Sequence, residues 1–362
     1  MSTVERIAVP NCAEFRARYR DRRQPVVIQG LFAGHPLAQI NTVERARERI
    51  GAMPIRMARN YMDMNVRNIG DFVAGRPVNL EPETRDITLA EYLDLASAAP
   101  DERWIATENV PPAELVAGLD LSPVGVGAIE PGYGKPTDPY EAGKSYSLMF
   151  VGSPGNASDL HTDWDGRHVV LYQMFGRKRA TVFPTEVAEQ LLPIDIYSMV
   201  RLRGMAEDRR RAFTESLGGI DVVLEPGDAL YMPAFCWHHL EYLDTGMSVN
   251  FRFDGPRDAD LRFLINNLHR DTYTQNLFTA LLDEKRCREH QATLAQLRTE
   301  CCRDYATGLD KYHALRESCR QAYREVCLRG AAESPFAWIN HSDFLDSILC
   351  YRYNRPPMDV AP

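Results

Sequence analysis

The chain has 362 residues, of which 44% are hydrophobic and 25% charged, and it carries a formal net charge of −8. That is the composition of an ordinary globular protein, long enough for one large domain with an appendage and for a core that needs no covalent staples. The acidic balance speaks against a sequence-independent nucleic-acid binder, which needs a basic surface, and no run of about 18 apolar residues is present to span a bilayer.

The first residues, MSTVERIAVPNCAEF, contain acidic groups and no apolar stretch, so no export signal is expected and the expected location is the cytoplasm. Residues 12–22 carry the spacing of a short amphipathic helix, and Pro25–Gln29 reads as a strand. Helical spacing returns over 42–50 and 88–97, the second with Thr88 placed to cap it, and Ile55–Ala58 and Arg103–Thr107 read as strands. Residues 122–144 are rich in Gly and Pro and form a long loop. A phosphate-binding loop fails there, because Ile129 stands in place of the first glycine and Pro136 in place of the Ser or Thr.

From Tyr146 the pattern changes to repeated short strands: YSLMFVG, HVVLYQMF, RATVFP, DVVLEP, ALYMP and MSVNFRF. Gly, Pro and Asp punctuate them, which predicts an antiparallel sandwich or barrel, with helical interruptions near 185–192 and 205–217. After Asp254 the strands stop. Residues 258–328 read as long amphipathic helices, with Leu261, Leu264, Ile265 and Leu268, then Leu294, Leu297, Cys301, Tyr305, Leu309 and Tyr312, at helical steps. The expected organisation is a mainly β domain over 1–255 with flanking N-terminal helices, then a helical domain over 256–362 that covers a sheet or pairs two subunits. The eight cysteines form no CxxC pair and are expected to be reduced structural thiols.

Two segments carry chemistry. In Asp159-Leu160-His161-Thr162-Asp163, residues i and i+2 of an extended stretch share a face, so His161 and Asp163 can meet one ion from adjacent vertices. Such a pair is common by chance. In the segment from Glu225 to Glu241, PGD supplies a turn and ALYMP a strand, and His238 falls near the start of the next strand, where it can add a third ligand. A lone histidine there is more often a core residue satisfied by backbone, and His239 must point the other way. Two His and one Asp leave positions of an Fe(II) open for a cosubstrate and O2; zinc accepts the same ligands, but its structural sites are closed by four.

Together, PVVIQG, GSPGNASDLHTDWDG, QMFGRKRATVFP, PGDALYMPAFCWHH and SVNFRF, in this order over residues 20–254, resemble the cupin-like JmjC family of Fe(II)/2-oxoglutarate oxygenases, including the asparaginyl hydroxylase that acts on hypoxia-inducible factor. The resemblance implies a double-stranded β-helix (a jelly roll) with His161, Asp163 and His238 as iron ligands. It implies that Lys178 pairs with the distal carboxylate of 2-oxoglutarate, with Ser158 and Asn250 also at the cosubstrate. The sequence departs from the family where a tyrosine is usual on the strand Arg103–Thr107; Trp104, Thr107 and Tyr146 are the candidates to replace it. The segment with Trp164, Asp165 and Arg167 also differs, and it borders the open face where substrate would lie.

The resemblance therefore implies hydroxylation of a peptide or protein side chain, with Asp163 excluding a halogenase, which needs that coordination position for halide. A free amino acid or small natural-product intermediate is the alternative substrate, with lysine demethylation and RNA modification behind it. A rival of another class is a non-catalytic metal-binding cupin scaffold. A homodimer through residues 258–328 is expected.

Overall fold

The computed structural model describes residues 4–59, 83–127, 145–163, 167–191, 193–194, 197–198, 200–253 and 289–303, with isolated positions between 306 and 325. In chain order the strands are β1 (Arg6–Ile7), β2 (Val26–Gln29), β3 (Pro54–Arg59), β4 (Thr84–Thr88), β5 (Trp104–Asn109), β6 (Tyr146–Gly152), β7 (His161–Thr162), β8 (His168–Phe175) and β9 (Lys178–Phe183). They continue with β10 (Pro193–Ile194), β11 (Tyr197–Ser198), β12 (Ile220–Leu224), β13 (Asp228–Met232), β14 (Trp237–Tyr242) and β15 (Gly246–Phe253). One sheet runs β1-β2-β13-β8-β15-β6-β5-β3-β4 and the other β10-β11-β7-β14-β9-β12. Among the described residues only β1 and β2 pair in parallel.

Alternation along the strands builds the layers. Val169, Leu171, Leu230 and Met232 of the larger sheet face Ala180, Val182, Val222 and Leu224 of the smaller one, and this shared interior is the inside of a jelly roll. The opposite face of the larger sheet, with Val170, Tyr172, Tyr231, Val249 and Phe251, is covered by the N-terminal segments. Phe15 and Tyr19 come from the helical stretch Cys12–Arg20, and Ala46 comes from α1 (Val43–Ile50). Leu89, Tyr92 and Leu93 come from α2 (Leu89–Ala98). Because β8 and β15 are covered on both faces, each is buried along its whole length.

The fold is therefore mainly β with flanking helices, as the strand pattern predicts. Thr88 caps α2 in a full capping box with Glu91, an arrangement worth about 1 kcal/mol. The helix expected near 205–217 forms as α3 (Glu207–Ser216) and lies on the outer face of the smaller sheet, where Arg210 donates to Glu241 at 2.9 Å and to Thr181 at 2.7 Å. The strands that pattern reading omits are very short (β1, β7, β10 and β11) or, like β4 with its sequence TRDIT, largely exposed at a sheet edge without apolar alternation. The helix Gln291–Cys302 falls within the predicted helical region. The expected domain boundary at 255–256, most of the 122–144 loop, and Leu261, Leu264, Ile265, Leu268, Tyr305, Leu309 and Tyr312 lie outside the described residues, while Leu294, Leu297 and Cys301 fall within that helix. No described helix is long and apolar enough to cross a membrane.

Candidate metal centre

β7 and β14 lie side by side, with His161 directly opposite His238. Cross-strand partners share a face, so both imidazoles enter the interior, and their ring centroids are 4.3 Å apart. Asp163 follows β7 immediately and completes the group. Its Oδ1 is 3.9 Å from His161 Nε2 and its Oδ2 is 3.9 Å from His238 Nε2. One ligand atom from each of the three residues lies within 4.8 Å of the others.

Each histidine is held by backbone. His161 Nδ1 is 2.7 Å from the Asp159 carbonyl and His238 Nδ1 is 3.2 Å from the Cys236 carbonyl. A carbonyl only accepts, so both contacts place the proton on Nδ1 and leave the Nε2 lone pair for an ion. Burial, then neighbouring His238, pushes His161 down to about 4, so it stays neutral and able to ligate at ordinary pH. Burial works against the Asp163 carboxylate, yet Arg252 and the two histidines hold it below the usual carboxylate range. Arg252 Nη1 stands 3.1 Å from Asp163 Oδ2.

The connection before His238 is itself braced. Phe235 sits in the left-handed region at φ +59°, which costs a non-glycine residue roughly 1–2 kcal/mol. Thr185 donates to the Phe235 carbonyl at 3.1 Å, and Arg23 donates to the Ala234 carbonyl at 2.6 Å. These two contacts hold the strained turn that leads into β14, and with it the direction of His238. His239 faces the other side of the sheet and takes no part in the cluster. Cys12 and Cys236 are free thiols, and burial pushes the Cys236 thiol up, which suits a structural thiol.

The second half of the site lies further along the same face. Lys178 is opposite Tyr242 in the β9–β14 pairing, as Val182 is opposite His238, so Lys178 and His238 share one wall. Lys178 is buried; its Nζ donates to Ser248 Oγ at 2.7 Å and stands 4.1 Å from the centre of the Tyr242 ring. Burial lowers it to about 7. Among the described residues no carboxylate pairs with it, so a buried ammonium is left for which an anion is the fitting partner. Tyr242 Oη has no hydrogen-bond partner among the described residues, and neither has the buried Asn250 Oδ1.

Ser158 is also buried, and its Oγ accepts from the Leu240 amide at 2.9 Å, which leaves the hydroxyl proton available. Trp104 does not reach the interior: it packs in the core beneath the N-terminal helices and donates its indole N–H to Glu102. Tyr146 lies under the guanidinium of Arg167, 4.5 Å from ring centre to Cζ, and Arg167 is buried rather than solvated. Trp164 and Asp165 are outside the described residues. The residues that the motifs did not name are Tyr242, Ser248 and Arg252. Strand alternation carried the signal for all three, since Tyr242 is in phase with His238, and Ser248 and Arg252 are in phase with Asn250.

Comparison with known proteins identifies the family. A family model described as a cupin-like domain matches residues 12–259. Lysine-specific demethylase 8 of Xenopus tropicalis is 21% identical over 277 residues, covering 69% of this chain and 52% of that protein. Lysine-specific demethylase JMJ30 of Arabidopsis thaliana is 30% identical over 115 residues, 30% of this chain and 26% of that protein. HSPB1-associated protein 1 of Bos taurus is 28% identical over 124 residues, 32% of this chain and 25% of that protein. The chain thus spans about half the length of the first of these relatives and about a quarter of the other two. With the jelly roll and the family match over most of its length, the chain belongs to the cupin-like JmjC family.

Proposed function

We propose that the protein is an Fe(II)- and 2-oxoglutarate-dependent oxygenase that hydroxylates a side chain of a peptide or protein. The observation that carries this reading is the pairing on one wall of an open three-ligand cluster, His161, Asp163 and His238, with a buried ammonium, Lys178, that has no carboxylate partner among the described residues. Nitrogen and oxygen donors with a single carboxylate suit Fe(II) with open positions, and among the described residues no cysteine, which a closed zinc site favours, joins the cluster.

The residues fit the cofactors. His161, Asp163 and His238 would hold the metal. Lys178 would hold the distal carboxylate of 2-oxoglutarate, with Tyr242 and Ser248 at its side and Ser158 and Asn250 lining the same interior. When bound, iron and 2-oxoglutarate supply the oxidising chemistry, consuming O2 and releasing succinate and CO2. The chain's own work is orientation and exclusion of water. The Asp159 and Cys236 carbonyls fix both imidazoles, the interior of the jelly roll limits the exposure of the ligands to a small fraction, and the Lys178 charge selects an anion. Tyr242 would supply from β14 the hydroxyl that the family usually brings from the strand equivalent to β5. Arg167, with Trp164 and Asp165, would border the substrate.

A second reading is favoured by the names of two relatives, which are lysine-specific demethylases. Demethylation begins with hydroxylation of an N-methyl group, so the same site would serve it. A free amino acid or small natural-product intermediate is the further alternative substrate. The test is a succinate-release screen against peptide pools, methyl-lysine peptides and small metabolites, with mass spectrometry of the products. Gain of one oxygen on a peptide supports the proposal. Loss of a methyl group with formaldehyde selects demethylation. Metal binding without succinate from any pool selects the non-catalytic scaffold. A cytoplasmic location and a homodimer through residues 258–328 complete the proposal; light scattering that gives a monomer at micromolar concentration would contradict the second.

A further inference from the structure

β15 lies between β8 and β6, so its backbone is hydrogen-bonded on both sides. Ser248, Asn250 and Arg252 alternate on its inner face, and four residues of strand span about 13 Å. One end of this row touches Lys178 through Ser248, and the other touches Asp163 through Arg252. The row therefore runs from the anion end of the interior to the metal end.

A buried arginine beside a divalent-cation site is costly, because two positive centres share a region of low dielectric. Its presence there asks for a compensating contact, and Asp163 offers one. His161 and His238 each have an orienting partner, the Asp159 and Cys236 carbonyls. Asp163 stands just beyond the end of β7, so no strand ladder holds its backbone as it holds theirs. Among the described residues the contact that pins its carboxylate is the Arg252 Nη1 to Oδ2 approach of 3.1 Å, with the arginine side chain only 8% exposed. That contact engages Oδ2, which also stands 3.9 Å from His238 Nε2, and leaves free of the guanidinium Oδ1, which stands 3.9 Å from His161 Nε2.

We infer that Arg252 is the positioning residue of the metal centre, holding one oxygen of Asp163 so that the other is presented to the ion between His161 and His238. This rests on the reading of the cluster as a metal site. Arg252 acts through Asp163 and makes no contact with substrate in this account. Orienting partners of metal ligands typically govern 10–100-fold in affinity. A lysine keeps the charge but not the planar fork, so it should serve only in part.

The test is anaerobic Mn(II) titration followed by electron paramagnetic resonance on the full chain, with wild type, Arg252→Met, Arg252→Lys and His161→Ala, alongside melting temperatures without metal. Arg252→Met is expected to weaken Mn(II) binding about 10–100-fold and to change the bound spectrum, with Arg252→Lys between it and wild type. A purely structural arginine would move the metal-free melting temperature and leave the Mn(II) affinity unchanged, which would overturn the inference. So would tighter binding by Arg252→Met, since the guanidinium would then be competing with the ion for Asp163. If Arg252→Met fails to fold, Arg252→Lys decides: weaker binding at an unchanged metal-free melting temperature supports the inference, and unchanged affinity overturns it. Wild type that fails to bind Mn(II), or binds it as well as His161→Ala, overturns the metal reading itself, and a loss confined to the Arg252 variants cannot be mistaken for that.

Discussion

Lys178 and Tyr242 face each other across the β9–β14 ladder, with the ammonium 4.1 Å from the ring centre, and neither finds a carboxylate among the described residues. The pair lies on the same wall as His238, four positions along β14 from Tyr242, so the metal ligands and the ammonium are set by one register. A slip of one residue in that pairing would turn His238 and Tyr242 out of the interior together.

Lys178→Met should weaken 2-oxoglutarate binding about 10–100-fold, the loss expected for a charge-assisted hydrogen bond, while leaving metal bound. Equilibrium titration of metal and of 2-oxoglutarate in parallel checks this; equal loss of both would contradict the assigned role.

The pH dependence has a definite sign. Lys178 falls from its ordinary 10.5 to about 7 on burial, so the folded value lies below the unfolded one. Between those values the unfolded chain binds more protons, and this group makes stability rise with pH. Anion binding needs the charged form, so the 2-oxoglutarate Kd should rise above about pH 7 by up to tenfold per pH unit. The groups facing Lys178 do not obscure this: Ser248 does not titrate, and burial raises Tyr242 further above its ordinary range. His161, at about 4, is neutral throughout. Binding measured from pH 6 to 9 in wild type and Lys178→Arg should show the slope only in wild type.

Gly152 leaves the space that the Tyr242 ring occupies. A Cβ there would lie 2.6 Å from Tyr242 Cζ and Cε2, so Gly152→Ala must displace the ring that packs on Lys178. Overpacking of this kind costs about 1–3 kcal/mol. The variant should melt earlier and bind 2-oxoglutarate more weakly, whereas Tyr242→Phe should weaken binding at a nearly unchanged melting temperature. Thermal unfolding with and without 2-oxoglutarate separates the two.

Arg210 ties α3 to the smaller sheet. Its side chain is 3% exposed and donates to Glu241 and Thr181. Arg210→Met leaves Glu241 without that charge, while Asp221 keeps Arg179, and should cost about 1–3 kcal/mol, as loss of hydrogen bonds to a partly exposed carboxylate does. Urea denaturation measures it, and metal affinity should change little because these contacts lie on the outer face.

Most of the jelly roll was legible because its strands alternate or run apolar between Gly, Pro and Asp: β6, β8, β9, β12, β13 and β15 all fall where pattern reading puts them. The edge strand β4 was not, since its exposed residues carry no alternation to read. His161, Asp163, His238 and Lys178 stand in recognisable segments, and the structure brings the three candidate ligands together. Tyr242, Ser248 and Arg252 are not legible in the sequence for a physical reason. Their contacts are tertiary and depend on which strand lies opposite, and SVNFRF by itself does not say that Arg252 meets a residue so distant in the chain. Trp104 on β5 serves the core, and Tyr242, to which the proposed function gives the tyrosine's role, stands on β14.

The central claim is that His161, Asp163 and His238 hold Fe(II) with 2-oxoglutarate bound beside it. Anaerobic titration of Fe(II) into the full chain with saturating 2-oxoglutarate, followed in the visible, tests it most directly. The account predicts a weak metal-to-ligand charge-transfer band in wild type that is lost in Asp163→Ala together with the metal. No band in wild type, with the metal content unchanged in Asp163→Ala, would contradict it.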